Sequence, residues 1–221
     1  MGLSLKDYAN NKEIKNINEI ELLNEDSLTS RALKFAIEAH GDTRRKDGIL
    51  YINHPIAVAN IVRENGYCDE CIAAAYLHDV VEDTKYTLED IAKAFTGKVA
   101  HLVDCASEPD KSLDWEDRKK HTINLIPNLS KEECIVPLCD KINNIEDLIN
   151  GDNRYGDEFY SKFKRPKDYH EWYYFNLLNG FKKVYGYNDL VKRFAADIAY
   201  LFLKNEELYD FNKNLEIPKR K

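Results

Sequence analysis

Six consecutive apolar residues, Ile72 to Leu77, run directly into the charged string His78-Asp79-Val80-Val81-Glu82-Asp83. A helix that is apolar all round has no face to give to water, so it must be buried. The chain therefore has to surround this segment with other elements and carry several polar groups at its end. Nine Gly and six Pro among 221 residues fall below the roughly 12% of average usage. That is too few turn formers for a many-stranded sandwich, and a helical shell is expected.

The spacing of apolar residues supports this. From Ser27, Leu33, Ala36, Ile37 and His40 lie at i, i+3, i+4 and i+7, with Gly41 as a stop. A second helix is predicted from His54-Pro55 to Asn65-Gly66, since Pro suits the first helical position. A third starts near Asp69 and carries the apolar run and its acidic end. Thr87-Leu88-Glu89-Asp90 reads as a helix start with a carboxylate three residues past the cap, leading to Phe95. Further helices are expected from Lys98 to Cys105 and over 115–126, 131–150, 168–184 and 188–205. In the last, Val191, Phe194, Ala195, Ile198 and Phe202 form an apolar stripe. Residues 42–53 and the charged connector Ser107 to Glu116 read as loops, and Asn150 to Lys167 as a loop or lid. One helical domain over 27–205 is expected, after an arm or short helix at 1–26 and before a tail at 206–221.

With 32 Lys plus Arg against 39 Asp plus Glu, the net charge of −7 excludes a generally basic nucleic-acid coat. The Met1 to Asn10 segment has no apolar run after its first charge, and no stretch of about 18 apolar residues occurs anywhere. Neither a signal peptide nor a membrane span is expected. Five cysteines, Cys68, Cys71, Cys105, Cys134 and Cys139, are an odd set in a chain too long to depend on disulfides, which fits a reducing cytoplasm. Cys68 and Cys71 have CxxC spacing, but no second pair of ligands follows, so neither a metal nor a redox role is expected there.

On a helix, His78 and Glu82 share one row and Asp79 and Asp83 the next. Carboxylates crowded beside an apolar run repel one another, and a divalent cation is the simplest neutraliser. The competing reading is a solvated helix end. His54, at a helix N-terminus, stays neutral and available to a metal because the dipole disfavours its protonated form. Asp140 stands in an otherwise apolar stretch with Asn144 one turn on, and the alternative for it is a cap or ion pair. Two His and two Asp suit Mn, Fe, Zn or Co better than an all-oxygen cage.

His54, the His78-Asp79 pair and Asp140 resemble the H…HD…D signature of the HD phosphohydrolase superfamily. Arg44-Arg45-Lys46-Asp47-Gly48, Tyr51-Ile52-Asn53-His54-Pro55, Leu77 to Thr84 and Cys139-Asp140-Lys141-Ile142-Asn143-Asn144 are more specific. Together they resemble the hydrolase domain of the Rel/SpoT alarmone enzymes over about residues 30–182, in its stand-alone, small alarmone hydrolase form. The resemblance implies an all-α HD-domain bundle with one Mn2+ held by His54, His78, Asp79 and Asp140. It makes Glu82 and Asp83 the catalytic acidic pair that orients and deprotonates the attacking water. Arg45 and Lys46 would flank the nucleotide, Asn144 would lie near its phosphates, and Arg44 and Lys141 would add positive charge. The implied reaction removes the 3′-pyrophosphate of (p)ppGpp, giving GDP or GTP plus pyrophosphate. Other nucleotides, (p)ppApp or NADPH, stay open as substrates. So does a non-catalytic protein that binds alarmone or neutralises a synthetase, and an enzyme with a functional link to such a synthetase is also compatible.

The chain departs from the family pattern in places. Asn144-Ile145-Glu146-Asp147-Leu148 has Glu where the family commonly has Arg. Pro137 requires the helix bearing Asp140 to begin or kink there. In the aromatic segment 169–175, Tyr169 and Tyr173 both remain candidates for a substrate-side tyrosine. His40, which matches a histidine of the family's first helix, and His101, His121 and His170 read as structural or surface residues.

Overall fold

The structure is a computed structural model that describes residues 26–45, 48–109, 111–203 and 215–219. The arm expected at 1–26 therefore falls, save for Asp26, outside the described residues, as do Lys46 and the tail from 206 except for residues 215–219. The described residues form helices and a single isolated bridge, between Arg44 and Leu50. No described helix is long and apolar enough to cross a membrane.

By its internal contacts the chain divides into two compact units, residues 1–107 with 135–139, and 108–134 with 140–221. The first unit contains α1 (Leu28–His40), α2 (Asn53–Glu64), α3 (Asp69–Leu77), α4 (Val80–Asp83), α5 (Leu88–Ala94) and α6 (Gly97–Ala106). At its centre is α3, every residue of which from Cys71 to Leu77 is buried. Helices α1, α2 and α6 pack around it. The caps are those the sequence suggests: Ser27 Oγ accepts from Ser30 N at 3.2 Å, and Thr87 and Asp90 form a reciprocal capping box.

One expectation in this unit needs correction, while the loop expected before α2 is present. The third helix does not run intact to Asp83, because α3 ends at Leu77 and α4 restarts at Val80. At the break the His78 ring donates from Nδ1 to the Ala75 carbonyl at 2.9 Å, and Asp79 relaxes to φ −92°, ψ −6°. The predicted loop before α2 is a tight turn, closed by Tyr51 N donating to Thr43 O at 2.8 Å and Arg45 N to Ile49 O at 2.8 Å.

The second unit contains α7 (Trp115–Leu125), a 3-10 turn over Ile126–Asn128, α9 (Lys167–Tyr185), α10 (Asp189–Ile198) and a π-helical turn, Ala199–Leu203. Helix α9 is the most buried of these and packs against α7 and α10. Helix α8 (Lys131–Tyr155) is divided by this partition: its residues 135–139 belong to the first unit and the remainder to the second. It starts at a Ser130–Glu133 capping box, upstream of Pro137, so the proline neither starts nor ends the helix. Its ring costs only the bond that would reach back to Glu133 O.

Residues 150–167 are not an open loop or lid. α8 continues to Tyr155 and a 3-10 helix covers Gly156–Lys162. Gly151 explains the fold-back, since a Cβ there would lie 2.2 Å from the Phe159 ring. Phe159 in turn meets the Tyr160 and Phe163 rings at centroid distances of 5.5 and 5.1 Å. The bidentate pair of Arg165 with Glu116, at 2.9 and 2.8 Å, ties the end of this stretch to α7. Beyond the helices, Asn176 on α9 donates from Nδ2 to Trp172 O at 2.7 Å and to Leu215 O at 3.0 Å, which fixes the segment 215–219 against α9.

Candidate metal centre

The first unit gathers three donor groups from two helix ends. His54 is the second residue of α2, placed by the turn that precedes it, and is 4% exposed. His78 and Asp79 occupy the break after α3, where the helix has delivered them from the core. The two imidazole Nε2 atoms are 3.2 Å apart, and Asp79 Oδ2 lies 3.5 Å from His54 Nε2 and 3.2 Å from His78 Nε2. Such separations suit donors sharing one cation at the roughly 2.0–2.1 Å of a metal–imidazole bond. The Nδ1 bond to Ala75 fixes the His78 tautomer and leaves the lone pair on Nε2, as a metal ligand requires. The residues present therefore fit a divalent ion.

Asp79 is itself held. Tyr51 donates its hydroxyl to Asp79 Oδ2 at 2.5 Å, and burial followed by the Asp79 and Asp83 carboxylates pushes the phenol pKa far up, so it remains a donor. His40 packs its ring 4.9 Å from that of Tyr51, and burial lowers its pKa despite the nearby Asp79 and Asp83. Its buried Nε2 has no hydrogen-bond partner among the described residues. Neither role was assigned from the sequence. Tyr51 does stand within the motif that carries His54, and that nearness was the available signal. Glu82 is partly buried and Asp83 exposed, both on the short α4 that follows the ligands.

In the second unit Asp140 is 6% exposed, directly after the α8 residues that belong to the first unit. Lys141 Nζ donates to its Oδ2 at 2.7 Å and Asn144 Nδ2 to its Oδ1 at 2.5 Å, so both carboxylate oxygens are oriented. Lys141 is buried, which opposes its charge, but the Asp140, Tyr173 and Glu108 groups outweigh burial and raise its pKa well above the ordinary value. Around it stand cations that the sequence did not single out. Arg118 and Lys119 both pair with Glu108, and Lys119 lies 4.8 Å from the Tyr173 ring centroid. Burial would raise the Glu108 pKa, yet Lys119, Lys141 and Arg118 hold it below the usual carboxylate range.

The two candidate tyrosines differ. The buried Tyr173 hydroxyl has no hydrogen-bond partner among the described residues. Tyr169 instead lines a hollow of about 250 Å³ with Asp114, Glu116 and Asp117, against one cation, Lys120. That surface repels an anion. Of the basic loop, Arg44 donates to Gly48 O at 2.7 Å within the turn, and Arg45 is part-exposed. Glu146, the departure from the family pattern, pairs with Arg193 on α10. Burial and Lys119 lower the His170 pKa to about 4, making it a neutral packing residue as expected.

The HD domain family model matches residues 32–154. A zebrafish (Danio rerio) protein named guanosine-3′,5′-bis(diphosphate) 3′-pyrophosphohydrolase MESH1 is 40% identical over 144 residues, a match covering 63% of this chain and 77% of that protein. The human protein of the same name is 40% identical over 145 residues, covering 64% and 78%. Among solved structures, one described as a metazoan ortholog of SpoT that hydrolyses ppGpp and plays a role in starvation responses aligns with a TM-score of 0.65. It is 25% identical, over 80% of this chain and 97% of that one. The lmo0812 protein of Listeria monocytogenes EGD-e aligns with a TM-score of 0.61 at 34% identity, over 69% and 96%. The family match includes His54, His78, Asp79 and Asp140 and spans more than half of the sequence, and the chain belongs to the HD domain family.

Proposed function

We propose that this chain hydrolyses the 3′-pyrophosphate of guanosine 3′,5′-bis(diphosphate) and its 5′-triphosphate form, releasing pyrophosphate and GDP or GTP. The observation that carries the reading is the meeting of His54, His78 and Asp79 on one another, with the paired acids Glu82 and Asp83 following directly in sequence. It is supported by relatives that bear the name of this activity and match most of their length.

His54, His78 and Asp79 meet in the first unit, and the family resemblance adds the buried Asp140 to the ligand set we assign. Mn2+ is the ion that best suits this mixed nitrogen and oxygen shell while leaving room for water and phosphate. When bound, it supplies Lewis acidity, drawing charge from a phosphoryl oxygen and lowering the pKa of a water toward neutrality. Glu82 accepts the proton of the attacking water and Asp83 orients it. Arg44, Arg45, Lys46 and Lys141 offset the charge of a polyanion that a chain of net charge −7 would otherwise repel. Asn144 and the Tyr173 hydroxyl serve as neutral contacts on the phosphate side, and Tyr173 is preferred to Tyr169 because only the latter borders the acidic hollow. A reducing cytoplasm is the compartment that suits this substrate.

The test is an Mn2+-dependent assay with ppGpp and ppApp in parallel, scored for pyrophosphate against orthophosphate. Pyrophosphate from ppGpp, lost in Glu82→Gln while metal content is kept, is the expected result. A Glu82→Gln protein with undiminished turnover refutes the assignment of the base, and release from ppApp alone refutes the guanine reading.

A further inference from the structure

Helix α3 has chemistry at both ends. At its N-terminus Cys68 is the N-cap residue and Cys71 lies within the first turn, one exposed and one fully buried. Their sulfurs are 3.4 Å apart, close to contact but well beyond a covalent bond. The helical i, i+3 relation holds the two Cβ atoms on the same side of the turn. The two sulfurs need to approach each other by only about 1.4 Å to reach the roughly 2.05 Å of a disulfide bond. Lys98, from α6, donates from Nζ to Cys68 Sγ at 3.9 Å. The sulfur that solvent reaches is thus met by a cation and by the positive end of a nine-residue helix. Cys105 sits beside His101, with Sγ 3.7 Å from Nε2, and Cys134 and Cys139 are buried on α8.

We propose that Cys68 and Cys71 form a dithiol–disulfide centre that exchanges with small-molecule disulfides of the glutathione type, with Cys68 as the attacking sulfur and Cys71 as the resolving one. The CxxC spacing alone gave no expectation of such a role; the sulfur separation and the Lys98 contact are what suggest it. It is independent of the hydrolase reading, because none of its residues belongs to the metal centre. In the first step the Cys68 thiolate attacks one sulfur of the small disulfide, whose S–S bond breaks as one thiol leaves with a proton. In the second, the Cys71 sulfur attacks Cys68 and gives up its proton, and the second small thiol departs. The protein pair loses two electrons and two protons, and the small disulfide gains them.

The full chain is equilibrated in glutathione buffers of increasing oxidised fraction, quenched with acid, alkylated under denaturing conditions and mapped by mass spectrometry. The expected wild-type product loses two of its five alkylatable thiols, with one internal link joining Cys68 to Cys71 and Cys105 still reduced. Cys71→Ser should trap a stable glutathione adduct on Cys68, and Cys68→Ser should form neither link nor adduct at this helix. Circular dichroism confirms that each variant is folded. The proposal is overturned if wild type keeps all five thiols while a reference dithiol peptide oxidises, or if it stops at a persistent glutathione adduct. It is also overturned if the purified chain holds a thiophilic metal at these cysteines that blocks oxidation.

Discussion

The Tyr51 hydroxyl and the two imidazoles converge on a single oxygen of Asp79, its Oδ2, with Tyr51 donating at 2.5 Å. A carboxylate fixed in this way presents a set direction to whatever cation the histidines hold. Tyr51→Phe removes the donor and keeps the ring that packs against His40. Metal affinity and activity should each fall by about 10- to 100-fold. Isothermal titration with Mn2+ checks the first and a hydrolysis assay at saturating metal the second.

His78→Ala and Asp79→Ala each delete a donor outright. Both variants should lose metal and activity together, and excess Mn2+ should not restore turnover. In the wild type, by contrast, a chelator should abolish activity and added Mn2+ should return it. Metal analysis of dialysed protein beside the assay distinguishes these outcomes.

Gly151 leaves the space that the Phe159 ring fills, so Gly151→Ala forces that ring out. Overpacking of this kind costs about 1–3 kcal/mol. The loss should be local to the 3-10 segment, visible as faster limited proteolysis between residues 156 and 166 with little change in the metal affinity of the first unit.

Asp197 on α10 is half-buried, and its buried Oδ2 has no partner among the described residues. Burial, with repulsion from Glu146, raises its pKa from 3.8 to about 6, against the pull of Arg193. The folded chain therefore keeps this proton where the unfolded chain has lost it. The group's contribution to stability is complete below about pH 3.8 and lost as pH rises through about 6. Asp197→Asn should gain about 1 kcal/mol near pH 8, after allowance for solvent screening of a half-exposed group. Near pH 4 the variant and wild type should converge, and urea unfolding at the two pH values measures the difference.

Much of this was legible from residue spacing. The apolar run of α3 demanded a buried helix, and Ser27, Thr87 and Gly41 marked boundaries where they stand. His54, His78 and Asp79 could be picked out as candidate ligands from residue type and helix position, and the structure brings their donor atoms within 3.5 Å of one another. What escaped was tertiary in origin. The break at His78 depends on a ring nitrogen finding the Ala75 carbonyl, which no periodicity encodes. The compact 150–167 segment depends on Phe159 settling over Gly151, where composition alone read as a loop. Arg118 and Lys119 were not singled out, because their pairing with Glu108 joins residues across the connector that residue spacing does not reveal. The 3.4 Å approach of the Cys68 and Cys71 sulfurs is likewise tertiary detail that their spacing alone does not give.

Asn176 spends one amide hydrogen on its own helix and the other on Leu215. A chain ending before Leu215 would leave that second N–H without its acceptor in a buried place, at a cost of about 1–3 kcal/mol. The last residues thus behave as a clasp on the most buried helix of their unit, and trimming them for convenience would loosen the protein from its far end.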